Sequence, residues 1–128
     1  MTIVYLTISQ FIEINEKILI ERESCQFLYR GGVELTLFSV QFKYNDLEKH
    51  EMLIAKASHL WYEIASNQYM LYGNKRTSSA VSRLFLKING LELSLDEEQE
   101  KSISWQIAMG KIKPIDLHTI IESSVYYA

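Results

Sequence analysis

The strongest constraint on how this chain folds is an apolar stripe in its middle. Leu53, Ala57, Leu60 and Ile64 recur at three- and four-residue intervals, Ile54 and Trp61 widen the stripe, and no glycine or proline interrupts it. Spacing of this kind gathers the apolar residues on one face of an α-helix, whereas a strand would scatter them over both of its faces. A helix with a wide apolar face must bury that face against other elements. A long central helix, capped at Asn45 or Asp46, is therefore expected to organise a bundle.

Other segments repeat the pattern. Thr7-x-x-Gln10 has the form of a capping box, and Phe11, Ile14 and Ile18 follow at helical spacing, which predicts a helix over residues 8–22. Gly31-Gly32 marks a break before a short helix over 34–40, although the β-branched content of 33–42 also allows a strand. Val81, Leu84, Phe85 and Ile88 define a further helix closed by Asn89-Gly90, with Gly90 as the residue just past its end. A loop through Ser94 leads to Asp96-Glu97-Glu98, whose negative charge suits a helix start, and that helix runs to Gly110. Pro114 opens the last helix, with Leu117, Ile120 and Ile121 inward. The fold expected is all-α, a single compact bundle of about six helices spanning residues 1–128.

Composition narrows the functional classes. A chain of 128 residues with 48% hydrophobic residues supplies one core and leaves no room for a second domain. The 13 basic and 16 acidic residues leave a formal charge of −3, which gives no reason to expect nucleic acid or an anionic membrane as a partner. The first nine residues carry no basic side chain, and no apolar run approaches the ~18 residues of a membrane span. Cys25 is the only cysteine, so an internal disulfide and a cysteine-based metal cluster are excluded. A reducing cytoplasm is the natural setting, with Cys25 as buried filler.

Candidate chemistry concentrates in residues 67–77, NQYMLYGNKRT, where a loop enters a helix. Gly73 permits a tight turn, Asn74 can hydrogen-bond locally, and Lys75 and Arg76 bring positive charge. Backbone amides at a helix N-terminus are unsatisfied and the dipole adds partial positive charge, so the turn suits a nucleotide's phosphates. Two cations at that end oppose the dipole unless an anion or a carboxylate compensates.

The segment resembles the signature of the Fic/Doc family, whose death-on-curing (Doc) branch reads H-x-F-x-D-G-N-K-R-T. Gly73-Asn74-Lys75-Arg76-Thr77 matches its second half residue for residue. In the first half, Gln68 stands at the His, Met70 at the Phe and Tyr72 at the acid. Residues 6–19 resemble the family's first helix, 33–41 its short second one and 84–93 the segment after the signature. The resemblance implies a toxin of a toxin-antitoxin module that transfers a group from ATP or another nucleoside triphosphate to a protein hydroxyl, with a translation factor as target and an antitoxin as partner. It also implies that Gly73, Asn74, Lys75 and Arg76 hold the nucleotide phosphate. Gln68 occupies the position of the catalytic base but has no group that titrates near neutral pH. Tyr72 removes the carboxylate that would help to hold Mg²⁺, so no metal ligand is assigned there.

Three readings follow. The first is a Doc-like domain that binds nucleotide phosphate with weak or absent transferase activity. The second is an active protein kinase or nucleotidyl transferase with a non-standard base. The third is a non-catalytic interaction scaffold. His59 falls beside the apolar stripe and reads as a core-edge histidine; His50 lies upstream of it. Tyr62, Tyr69 and Tyr72 read as packing ahead of base stacking. The terminal Val125-Tyr126-Tyr127-Ala128 docks on the bundle or offers a surface for self-association.

Overall fold

The computed structural model describes residues 2–128. The fold is an all-α bundle with a small two-stranded sheet at its edge. Six α-helices occur among the described residues: α1 Ile8–Ile18, α2 Arg30–Ser39, α3 Lys49–Ser66, α4 Asn74–Ile88, α5 Glu97–Ala108 and α6 Pro114–Ser124. A single 3₁₀ turn, Val40–Phe42, continues α2. Strand β1, Leu91–Leu93, pairs antiparallel with β2, Val125–Tyr127, placing Leu91 opposite Tyr127 and Leu93 opposite Val125.

α3 is the axis. It packs against α4, α5 and α6, and more narrowly against α2. Leu53, Ile54, Ala57, Leu60, Trp61 and Ile64 are all buried, so the stripe seen in the sequence is the core face. Trp61 is fully buried and donates its indole N–H to Ser104 Oγ on α5 at 2.9 Å. Burying a polar group of this kind is tolerable only with such a partner. α4 turns small residues toward α3: Ser78 and Ser82 are buried, and Ser82 donates to the carbonyl of Ala57 at 2.9 Å. Arg83 then ties α4 to β1 through the Leu93 carbonyl (2.9 Å) and to α5 through Glu100.

Local signals hold where they act within a turn. Thr7 and Asp96 both form complete capping boxes, Pro114 is the first residue of α6, and Gly90 takes a positive φ of 93° just after α4. Other boundaries differ. α1 ends at Ile18 rather than residue 22, because Arg22 adopts φ 73° and the Glu23 carboxylate accepts the Ile20 amide at 2.9 Å, making a turn. α2 begins before Gly31-Gly32 instead of after it. Tyr69 explains the second glycine: a Cβ on Gly32 would stand 2.3 Å from the Tyr69 ring. The strand alternative for 33–42 is not taken.

α3 starts at Lys49 after Glu48, so neither Asn45 nor Asp46 is its cap. The Asn45 carboxamide instead donates to Gln41 O (2.9 Å) and accepts from Lys56 Nζ (2.7 Å). Lys56 is fully buried, and its ammonium also reaches Tyr5 OH at 2.7 Å and the carbonyl of Val40 at 3.1 Å. A cation at the carbonyl end of α2 is favoured by the dipole, so Lys56 pins that end to the central helix. Cys25 is only half-buried, and burial followed by the Glu16 charge raises its thiol pKa. The tail docks, as β2.

Candidate functional site

The turn into α4 is built by contacts from both sides. Gly73 takes φ 79° and ψ 20°, in the left-handed region that L side chains avoid. A side chain there would also collide with α1, since its Cβ would lie 2.6 Å from Ile18 Cδ1. Beneath the turn, fully buried Asn15 donates to the Tyr72 carbonyl at 3.2 Å and to Thr77 Oγ1 at 3.0 Å. The Asn15 Oδ1 atom has no hydrogen-bond partner among the described residues. Asn74 folds back on the loop: its amide donates to the Met70 carbonyl at 2.8 Å, and its Oδ1 accepts the Met70 amide at 3.0 Å. Met70 is fully buried and anchors the loop in the core. Residues 26–29 clasp the loop from outside, with Leu28 and Tyr29 amides on Tyr69 O and the Leu71 amide on Gln26 O.

The result is an uncapped helix start. The Thr77 amide closes the first turn on Gly73 O at 2.8 Å, while the amides of Asn74, Lys75 and Arg76 have no acceptor among the described residues. No side chain caps α4 and no acid occupies its first turn, in contrast to α5, which carries Glu97, Glu98 and Glu100 there. Three free N–H groups and the positive dipole end attract an anion.

The two cations part company. Arg76 turns away and donates to Ile18 O at 2.8 Å and to both carboxylate oxygens of Glu23, at 3.1 and 3.2 Å. Glu23 is thus the carboxylate that offsets one of the charges opposing the dipole. Its pKa lies below the ordinary value of 4.5, first because the Ile20 amide donates to it and then because Arg76 stands beside it. Lys75 is exposed and its ammonium has no partner among the described residues. Of the four residues expected to hold phosphate, Lys75 is exposed with its side chain uncommitted, and the amides of Asn74, Lys75 and Arg76 have no acceptor among the described residues. Asn74 and Arg76 side chains are engaged internally.

Gln68 is exposed and its carboxamide makes no hydrogen bond among the described residues. Tyr72 is half-buried, held by its backbone carbonyl rather than its phenol. The three tyrosines do not form a stack: Tyr69 packs edge-on against Tyr29 at 6.2 Å between ring centres, and Tyr62 donates to Ile112 O at 3.1 Å.

A second concavity, about 330 Å³, opens between α3 and α6, lined by Tyr44, Ser58, His59, Glu63, Ile115 and His118. Burial lowers the His59 pKa there, against the opposing pull of Glu63. His59 beside the apolar stripe is legible as a core-edge residue, whereas nothing in the sequence marks His118, 59 positions away, as sharing its cavity. Asn15 carries one sequence signal, a carboxamide on the apolar face made by Phe11 and Ile18, which does not reveal its partners in the turn.

No family model matches the chain, and no curated protein matches it. What fold and site define is a helical bundle whose fourth helix begins with free amides and one uncommitted lysine. Among the described residues no helix is long and apolar enough to cross a membrane.

Proposed function

We propose that the chain is a Doc-like domain of a toxin-antitoxin module that holds a nucleotide by its phosphates at the N-terminus of α4, with transfer chemistry weak or absent. The observation that carries this is the set of unpaired amides at Asn74, Lys75 and Arg76, with no acid in that turn. Backbone donors grip phosphate oxygens without regard to the base, and Lys75 adds a mobile point charge. Gln68 supplies no proton acceptor and Tyr72 no anionic metal ligand, so the residues that would drive transfer are absent from the loop.

Calorimetry with ATP tests the reading. Lys75→Ala is the clean variant, because Arg76→Ala also breaks the tie to Glu23 and α1. Wild type should bind saturably and Lys75→Ala markedly less; Lys75→Ala together with Arg76→Ala should not bind. Glu23→Gln frees the Arg76 guanidinium and should tighten binding. Equal affinity of wild type and Lys75→Ala would place the nucleotide elsewhere.

One observation favours the scaffold reading as second. Leu35, Phe38 and Phe42 stand exposed along one line of α2 and its 3₁₀ extension, with the two phenylalanine rings 5.2 Å apart. Exposed aromatic residues in a row mark a surface that a protein partner, such as an antitoxin, can cover. Absence of nucleotide binding combined with loss of partner capture in Phe38→Ser would support it.

A further inference from the structure

The most suggestive cluster outside the α4 turn lies where the start of α3 meets α6. Glu51 stands in the first turn of α3, and His118 and Glu122 are one turn apart on α6. One donor atom from each, an imidazole nitrogen and two carboxylate oxygens, all lie within 4.8 Å of one another. The His118 Nε2 to Glu51 Oε2 separation is 3.7 Å, too long for a hydrogen bond. None of the three side chains has a hydrogen-bond partner among the described residues. Two carboxylates and an imidazole therefore stand together with only the long His118–Glu51 ion-pair contact between them, in an arrangement where the carboxylates repel one another.

We propose that Glu51, His118 and Glu122 bind a divalent transition metal ion, Zn²⁺ by the character of the donors, which clamps α3 to α6. A cation there cancels the repulsion, and two carboxylates with a neutral imidazole balance its charge. A mixed nitrogen and oxygen set suits Zn²⁺ and disfavours Mg²⁺, which demands hard oxygen in octahedral array. Bonds of about 2.0–2.2 Å to each donor need only a modest closing of side chains on solvent-facing stems. Spacing supplies the rest: residues i and i+4 share a helix face, so α6 offers a two-point grip that α3 completes. Three protein ligands leave a fourth position open. The His118 ring belongs both to this cluster and to the wall of the cavity that holds His59, so an exogenous ligand on the ion would border that cavity.

The test titrates the purified full chain with Zn²⁺ and with Co²⁺, following heat, thermal unfolding and the visible absorption of Co²⁺. One ion per chain, a raised Tm and a Co²⁺ band of four-coordinate character are expected. Glu51→Gln, His118→Ala and Glu122→Gln should each weaken binding by about tenfold or more, the scale on which metal sites respond even to lost supporting contacts. Glu122 is exposed, so Glu122→Gln folds whatever the others do. His59→Ala should bind as wild type does, and Mg²⁺ should give no thermal shift. Unchanged affinity in His118→Ala and Glu122→Gln, loss in His59→Ala alone, or absence of saturable binding of either metal would each overturn the assignment.

Discussion

Gly73 offers the most direct test of how the turn into α4 is held, because a second glycine serves as its control. Gly73 and Gly90 both sit at positive φ, 79° and 93°, but a Cβ on Gly90 would meet nothing within 4 Å, whereas one on Gly73 would lie 2.6 Å from Ile18 Cδ1. Placing an L-residue in the left-handed region costs about 1–2 kcal/mol. Alanine also restricts the unfolded chain, which returns about 0.4–1 kcal/mol. Gly90→Ala should therefore cost roughly 0.5–1 kcal/mol. Gly73→Ala carries the same terms and must also drive the Ile18 tip out of its rotamer, for about 0.5–1.5 kcal/mol more. Contacts to Asn15 Nδ2 at 3.4 Å and Leu19 Cδ2 at 3.5 Å are ordinary and add little. The expected loss at Gly73 is about 1–2.5 kcal/mol, and for a chain of this size each kcal/mol lowers Tm by about 4 °C. Paired urea melts and thermal scans of the two variants give the difference. If Gly73→Ala is no less stable than Gly90→Ala, α1 does not press on the turn as described, and the positioning of the α4 amides loses its support.

Lys56→Met should cost about 1–2 kcal/mol in urea unfolding, since it removes the ammonium donor from Asn45 Oδ1 and one of two donors from Val40 O, which keeps the Lys43 amide; a neutral result would show that those acceptors rehydrate freely. Glu23 has a pKa below its ordinary value in the folded chain, so the unfolded chain takes up its proton first as pH falls. Its contribution is complete above the unfolded value of 4.5 and disappears as pH drops through the folded one. The stability gap between wild type and Glu23→Gln should accordingly close in acid, and parallel pH profiles would refute the pairing. If the proposed Doc-like reading holds, Gln68→His with Tyr72→Asp should raise Mg²⁺-dependent transfer of labelled phosphate or nucleotide to a translation factor above a near-background wild type, because a base and a metal-binding carboxylate act on the same charge. Strong transfer by the unmodified chain, lost in Gln68→Ala, would favour an active enzyme.

What the amino-acid order determined alone was whatever acts within a turn or two of helix. The capping boxes at Thr7 and Asp96, Pro114 at the head of α6, Gly90 past the end of α4 and the apolar face of α3 are all set by residues three or four positions apart. Their physics is local hydrogen bonding and periodicity, so they could be read from the chain. Gly73 as the entry to α4 belongs to the same group. Tertiary structure decided what crosses long sequence distances. Gly31-Gly32 reads as a helix breaker until the Tyr69 ring is seen to need the space inside α2. Lys75 and Arg76 read as an equivalent pair until Glu23, 53 residues from Arg76, claims one of them. Lys56 in the core and the meeting of Glu51 with His118 had no sequence signature, and the carboxamide of Asn15 on an apolar face gave no hint of its partners, because each contact depends on which helices lie side by side. Such contacts arise only once packing has brought distant segments together, and there a side chain's role is set by its neighbours in space rather than along the chain.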